Sequence, residues 1–534
     1  GRRRASSGKA EQATMKATAA VLLALAATAA AYPLDDYVQA EDDTFSWVDT
    51  GIELQGHVGR FNHDKASWTG RYLNVTTQSW LTAEDSSQPV WWHLALYITA
   101  DDEAYRRPVA PDGNTTMLMY ITGYKNGAIP KSTDEEVVAA AEIAIATGLP
   151  AVILFQVPNE PIVFPSDPLA KSRSEDAIIA FTWDHFLNDM SDPTWVLQLP
   201  MVKAVMRAQD AIEEYLGLEG KTEWFVSGAS KRGWTTWLSA AADANYKKRI
   251  IGIAPMVYDM LNFRENLHHQ YAAYGGWSFA FKDYYEMNIT GRLDDDNATD
   301  LFNIVDPFFY KDRLTMPKLV IDTCGDEFFT IDDWAYWINL DGGLPGVNHY
   351  LMSPNTEHSE ATGILEIVPA IAAFLNGVMD EGAENLPQFT WTVDDTNGDI
   401  VVTLAEGSPK PDAVHQWSAT TCNDQRRDFR LVNIDDPCTC GIGADGSCLN
   451  LKVLWSKEEI TASEDGTYRG SMAVPSDGLW GGFLLDLQFK SKSSGLGWPV
   501  DSYKVYEFTT QVSIVPNTFP FDDCVGYECY GTLV

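Results

Sequence analysis

Residues 224–238 read W-F-V-S-G-A-S-K-R-G-W-T-T-W-L: a short apolar run of β type breaks at small residues and resumes as a helical pattern. Gly228, Ser230 and Gly233 set a G-x-S-x-x-G spacing across that break. A serine on so sharp a strand-to-helix turn needs small neighbours, because its backbone is strained and the helix must pass close to the sheet. A plain Gly/Ser turn opening a helix is the alternative. On either side the same grammar repeats between residues 91 and 375. Strands are predicted at 117–122, 151–157, 223–227, 250–255, 318–323 and 348–352. Helices are predicted at 134–146 (after the cap candidate Ser132), 200–216, 233–244, 331–340 and 361–379. Uninterrupted Val/Ile/Leu strands separated by helices imply an α/β domain with a mostly parallel sheet covered on both faces.

After residue 380 the pattern changes. The stretch E-G-A-E-N-L-P at 381–387 reads as a linker. Short alternating strands follow: a hairpin at Asn397-Gly398, then D-F-R-L-V around Phe429, L-K-V-L-W ending at Trp455, G-G-F-L-L-D-L-Q-F ending at Phe489 and F-T-T-Q-V-S-I-V ending at Val515. That is the signature of an all-β sandwich. The expected division is therefore 1–31 as upstream residues and signal, 32–90 as an extension without clear periodicity that wraps against the next unit, 91–385 as the α/β domain and 386–534 as the sandwich.

Residues 17–31 form an Ala/Leu-rich run behind Met15 and Lys16, with small residues at Ala29 and Ala31. The run is too short for a bilayer and has the form of a secretory signal, so export is expected and stable membrane insertion is not. Sequons at Asn74, Asn114, Asn288 and Asn297 become glycan candidates in that setting. Of seven cysteines, Cys324 stands apart, while Cys422, Cys438, Cys440, Cys448, Cys524 and Cys529 crowd the sandwich. For an exported chain these predict disulfides of unresolved pairing. Zinc is not expected, because Cys438 and Cys440 lack the C-x₂-C form and clustered histidines.

A serine nucleophile needs a base, and the base an orienter. In α/β-hydrolases they follow the serine in the order acid, histidine, just beyond the last strands. Here L-V-I-D-T ends in C-G-D-E-F-F, which puts Asp326 at a strand's carboxyl end, and Y-L-M-S-P-N-T-E-H puts His358 beyond the next strand. Glu327, Asp332 and Asp259 are rivals for the acid, and His268 and His269 could line a pocket. The Lys231 N–H at the helix start is one oxyanion donor, and the loop G-Y-K-N-G, with Gly123 and Tyr124, is the expected source of a second. The Lys231 and Arg232 side chains have two readings: they support an oxyanion or an anionic substrate, or they pair with carboxylates on the helix's first turn. Trp183, Trp195, Trp234, Trp237, Trp277 and Tyr274 read mostly as core.

These residues resemble the PhoPQ-activated pathogenicity-related protein family, which includes secreted autocrine proliferation repressor proteins. The resemblance rests on L-N-V-T-T-Q-S-W-L and V-W-W-H (73–93), E-D-A-I-I-A-F-T-W (175–183), W-V-L-Q-L-P-M-V-K-A (195–204), G-A-S-K-R-G-W, G-D-E-F-F, P-N-T-E-H and R-D-F-R (427–430). It implies an α/β-hydrolase followed by an immunoglobulin-like domain, with Ser230, Asp326 and His358 at the triad positions. The elbow is also similar to that of glucuronoyl esterases, where a basic residue after the serine assists the oxyanion. Lys231 holds that place.

The chain carries 38 Lys+Arg against 75 Asp+Glu, a formal charge of −37, which excludes nucleic acid as a partner. It also argues against a lipase at anionic bilayers. The expected activity is that of a secreted serine hydrolase, of esterase or peptidase type, that needs no cofactor and acts on a small-molecule, peptide or ester substrate. The alternative is a secreted signalling protein on the same scaffold, with a cell-surface partner. In so acidic a chain, two cations beside the serine point to a negative substrate or transition state.

Overall fold

The computed structural model describes residues 32–58, 66–110, 112–432, 453–491 and 504–534. The signal-like segment and Cys438, Cys440 and Cys448 lie outside the described residues. The sheet strands, in chain order, are β1 (Ser46–Val58), β2 (Ala66–Ser79), β3 (Val90–Ala100), β4 (Thr115–Ile121), β5 (Ala151–Leu154), β6 (Thr222–Ala229), β7 (Ile250–Met256), β8 (Lys318–Thr323) and β9 (Asn348–Ser353). In space they run β1-β2-β3-β5-β4-β6-β7-β8-β9. From β5 to β9 every pairing is parallel, whereas β1, β2 and β3 join antiparallel.

The helices are α1 (Pro33–Gln39), α2 (Glu135–Thr147), α3 (Asp176–Asn188), α4 (Gln198–Leu216), α5 (Lys231–Asp243), α6 (Phe263–Tyr274), α7 (Lys282–Glu286), α8 (Asp296–Val305) and α9 (Ile364–Glu381). Alternation along β4 shows how they share the sheet: Met117 and Met119 face one core with α4 and α5, while Leu118 faces the other with α2 and α9. With apolar cover on both faces, β5 and β8 are buried at every position, which accounts for their continuous hydrophobic runs. This is the α/β-hydrolase arrangement.

The second unit is antiparallel. Strands β10 (Phe389–Val393), β11 (Ile400–Leu404), β12 (Ala413–Thr420), β13 (Ser456–Glu459), β14 (Tyr468–Gly470), β15 (Gly481–Lys490), β16 (Val505–Thr509) and β17 (Ser513–Val515) make two sheets. One runs β10-β11-β14; the other runs β13-β12-β15-β16, with β17 also on β15. Val402, Leu485, Leu487 and Phe489 pack between them, as in an immunoglobulin-like sandwich. Its strand β16 lies along the free edge of the central sheet: the Met352 N–H donates to Thr509 Oγ1 at 2.9 Å, and the His349 and Phe508 rings are 4.0 Å apart.

Four readings change. Residues 32–90 do not merely wrap the domain: they supply β1 and β2 to its sheet. β1 is mostly exposed, and β2 alternates buried with half-buried positions over its first half. The helix expected at 331–340 is two 3₁₀ turns, Asp333–Tyr336 and Leu340–Gly342. The residues around Phe429 form no strand; they serve the acid turn described below. α2 is capped at Asp134 instead of Ser132. The six aromatics named above are all at most 6% exposed, hence core.

Candidate active site

Strand β6 ends at Ala229 and α5 begins at Lys231, so Ser230 alone makes the turn. It does so at φ 58° and ψ −128°, a region that only glycine enters freely. Two close approaches hold it there. The Ser230 N–H donates to the Met256 carbonyl at 3.0 Å. A Cβ on Gly233 would lie 2.4 Å from that same carbonyl oxygen, and one on Gly228 would lie 2.9 Å from the Ile121 carbonyl oxygen. Both glycines of the motif are therefore fixed by backbone contact with neighbouring strands.

His358 reaches the serine from the turn after β9, its Nε2 2.8 Å from Ser230 Oγ. Its Nδ1 lies 2.7 Å from Asp326 Oδ2. The tautomer that satisfies both contacts has Nδ1–H donating to the carboxylate and Nε2 accepting from the hydroxyl. Asp326 is 2% exposed, and its other oxygen accepts the N–H groups of Phe328 at 2.6 Å and Phe329 at 3.0 Å. The Phe328 ring packs 4.5 Å from the imidazole.

The rival acids have other employment. Glu327 Oε2 accepts the His358 backbone N–H at 2.9 Å, and burial, reinforced by Asp326, pushes its carboxyl up. Asp332 pairs with His269 and Arg427. Asp259 is buried, which raises its carboxyl to about 7. Of the two other histidines, His269 is thus held by Asp332, and His268 bridges Asp294 and Asp523 at 3.0 and 2.8 Å.

The cations after the serine follow the pairing reading, with one difference: their carboxylates come from the start of α3, not from their own helix. Lys231 Nζ lies 2.7 Å from Glu175 and 3.1 Å from Asp176. Arg232 makes two 2.8 Å bonds to Glu175, and its Nε donates to the Val157 carbonyl at 2.6 Å. Burial alone would raise the Glu175 carboxyl, but Arg232 and Lys231 outweigh it and hold it well below the usual range. Next to it Glu160 is pushed to about 7 by burial and then by Glu175, while its Oε2 accepts the Glu175 N–H at 2.8 Å. Lys231 and Arg232 thus meet Glu175 and Asp176, so their charge is balanced inside the cluster rather than offered to a negative substrate.

The Lys231 N–H, at the first helical position, has no intrahelical acceptor. Gly123 lies against Arg232, where a Cβ would come 2.4 Å from the guanidinium. The Tyr124 hydroxyl donates to Asp134 at 3.0 Å. Glu160, Glu175 and Asp176 escaped the sequence reading, although E-D-A-I-I-A-F-T-W carries two of them. Among the described residues one metal-ligand cluster occurs, His268 with Cys524 and Cys529. Its two sulfurs form a disulfide, which leaves no thiolate for a metal.

The model of the family described as PhoPQ-activated pathogenicity-related protein matches residues 34–430. The chain belongs to this family. Another similar protein is Autocrine proliferation repressor protein A of Dictyostelium discoideum, 35% identical over 526 residues and covered over 96% of each chain. Among solved structures, acetyl xylan esterase 1 from Thermoanaerobacterium sp. JW/SL YS485 aligns with a TM-score of 0.36 at 12% identity, over 62% of this chain and 91% of that one. Candida antarctica lipase A aligns at 0.32 and 11%, over 59% and 78%. The PhoPQ-related match ends at Arg430, so it takes in the whole hydrolase unit and the start of the sandwich.

Proposed function

We propose that this PhoPQ-related protein is a serine hydrolase of esterase or peptidase type. The single observation that carries the reading is the continuous chain Ser230–His358–Asp326, with contacts of 2.8 and 2.7 Å, anchored on a serine in a strained turn. In this reading Ser230 Oγ attacks a substrate carbonyl while His358 Nε2 takes its proton. Asp326 holds the imidazole in the productive tautomer and stabilises the imidazolium. The Lys231 N–H, aligned with the α5 dipole, faces the charge that develops on the carbonyl oxygen. The protonated imidazole then gives its proton to the leaving group, and water repeats the sequence on the acyl-enzyme.

A fluorophosphonate probe should label the wild type and not Ser230→Ala; a folded wild type that stays unlabelled refutes the proposal. On any ester the protein hydrolyses, Ser230→Ala or His358→Ala should lower turnover by roughly 10⁴-fold.

Export is part of the same reading. The Cys524–Cys529 disulfide, a bonded Cys422 and an exposed Asn74 sequon on β2 support it. The name of the Dictyostelium relative favours a second reading, secreted signalling through a cell-surface partner. Retention of full biological activity by Ser230→Ala would select it.

A further inference from the structure

The turn that carries Asp326 is held on one side directly, and on the other through Ser278, by residues from beyond the hydrolase unit. On one side, the Leu431 N–H donates to the Gly325 carbonyl at 3.0 Å. A Cβ on Gly325 would lie 2.4 Å from Leu431 Cβ, so the two segments are in direct contact. Gly325 in turn donates to the Thr356 carbonyl at 3.0 Å, tying this side to the turn that bears His358.

On the other side, the Glu327 carbonyl accepts a hydrogen bond from Ser278 Oγ. Ser278 is fully buried, and its hydroxyl oxygen accepts from Arg430 Nη1 at 3.1 Å. Arg430 is itself immobilised: Nε and Nη2 grip the two oxygens of Asp428 at 2.9 and 2.8 Å, and Nη1 also reaches the Val534 carbonyl at 3.0 Å. Val534 is laced to the same loop, its N–H donating to Trp277 O at 2.8 Å and its carbonyl accepting from Phe279 N–H at 3.1 Å.

The residues immediately before and after Asp326 are therefore both fixed through residues 428–431. We propose that Arg430 is a positioning residue for the proposed triad: acting through Ser278, it sets the aim of Asp326 at His358, so the hydrolase site is complete only with the segment between β12 and β13 in place. This rests on the serine-hydrolase reading. The physical reason is the sensitivity of proton transfer to alignment, since a displacement of about 1 Å away from the chemistry can cost on the order of 10²-fold.

The test uses the full chain with Ser278→Ala, Arg430→Gln, Arg430→Lys and the Ser278→Ala/Arg430→Gln pair, each checked for folding by near-ultraviolet circular dichroism. Ser278→Ala is the mild variant that keeps the test open if Arg430→Gln fails to fold. Two readouts are taken: the rate of fluorophosphonate labelling across pH, and the downfield NMR signal of the His358 Nδ1 proton held by Asp326. Expected are a ~10- to 100-fold slower labelling with a shifted pH profile in Ser278→Ala and Arg430→Gln, partial rescue in Arg430→Lys, and broadening of the Nδ1 signal. Because Arg430 acts through Ser278, the double variant should be no slower than the slower single one. Folded single variants with wild-type rate, pH profile and proton signal overturn the proposal, as do strictly additive losses. If the wild type never labels, the hydrolase reading falls, and the proton signal still decides the positioning.

Discussion

At the scale of one residue, the position of the proposed nucleophile trades stability for chemistry. Ser230 sits at φ 58°, where a Cβ costs on the order of 1–3 kcal/mol. Ser230→Gly should therefore unfold at a higher temperature than wild type, by an amount corresponding to about 1 kcal/mol, while losing all probe labelling. A lower melting temperature in calorimetry would contradict this. The contact of Ser230, His358 and Asp326 was legible because each lies at the carboxyl end of a recognisable strand and the three come in the order that the proposed triad requires. The partners of Lys231 and Arg232 were not, since Glu175 and Asp176 lie more than fifty positions upstream and no local pattern joins them to α5.

At the scale of elements, that charge cluster fastens the start of α3 to the start of α5. Arg232→Met should leave Glu175 with one cation fewer and Val157 without its donor. A fully buried pair broken on one side costs about 3–5 kcal/mol; Glu175 keeps 38% of its side-chain surface, so about 2–3 kcal/mol is expected from urea denaturation. A loss under about 0.5 kcal/mol would mean the cluster is not a fastening. Elements were misread where tertiary partners overrode periodicity. Residues 331–340 have helical spacing, but Asp332 is drawn to His269 and Arg427 and Asp333 to Thr330. Residues 427–431 alternate like a strand, yet their polar groups are spent on Asp332, Ser278 and Gly325.

At the scale of the whole molecule, burial has raised many carboxyls: Asp306 to about 6, Glu160, Asp259 and Glu366 to about 7, Glu360 and Glu507 to about 8. Each folded value exceeds the unfolded one. Their contribution is therefore fully present below about pH 4 and is lost as pH rises through 6 to 8. His93 and His349, both lowered to about 4 by burial, act in the opposite sense, since their contribution is lost as pH falls from about 6.5 to 4. Six such carboxyls outweigh two histidines, so thermal stability should be highest near about pH 4 and decline to about pH 8; a flat or rising profile between about pH 5 and 8 by calorimetry would count against it. The composition showed the surplus of acid. It could not show which carboxyls the fold buries.

The seam between β9 and β16 has a consequence for the molecule's solubility. Each strand is the outermost of its own sheet, and the two pack against each other, with the Met352 N–H bonded to Thr509 Oγ1. A nick in the linker at 382–388 followed by separation would bare two adhesive ribbons at once. The halves would then meet other copies of themselves before they met each other, and the damaged protein would leave solution as aggregate.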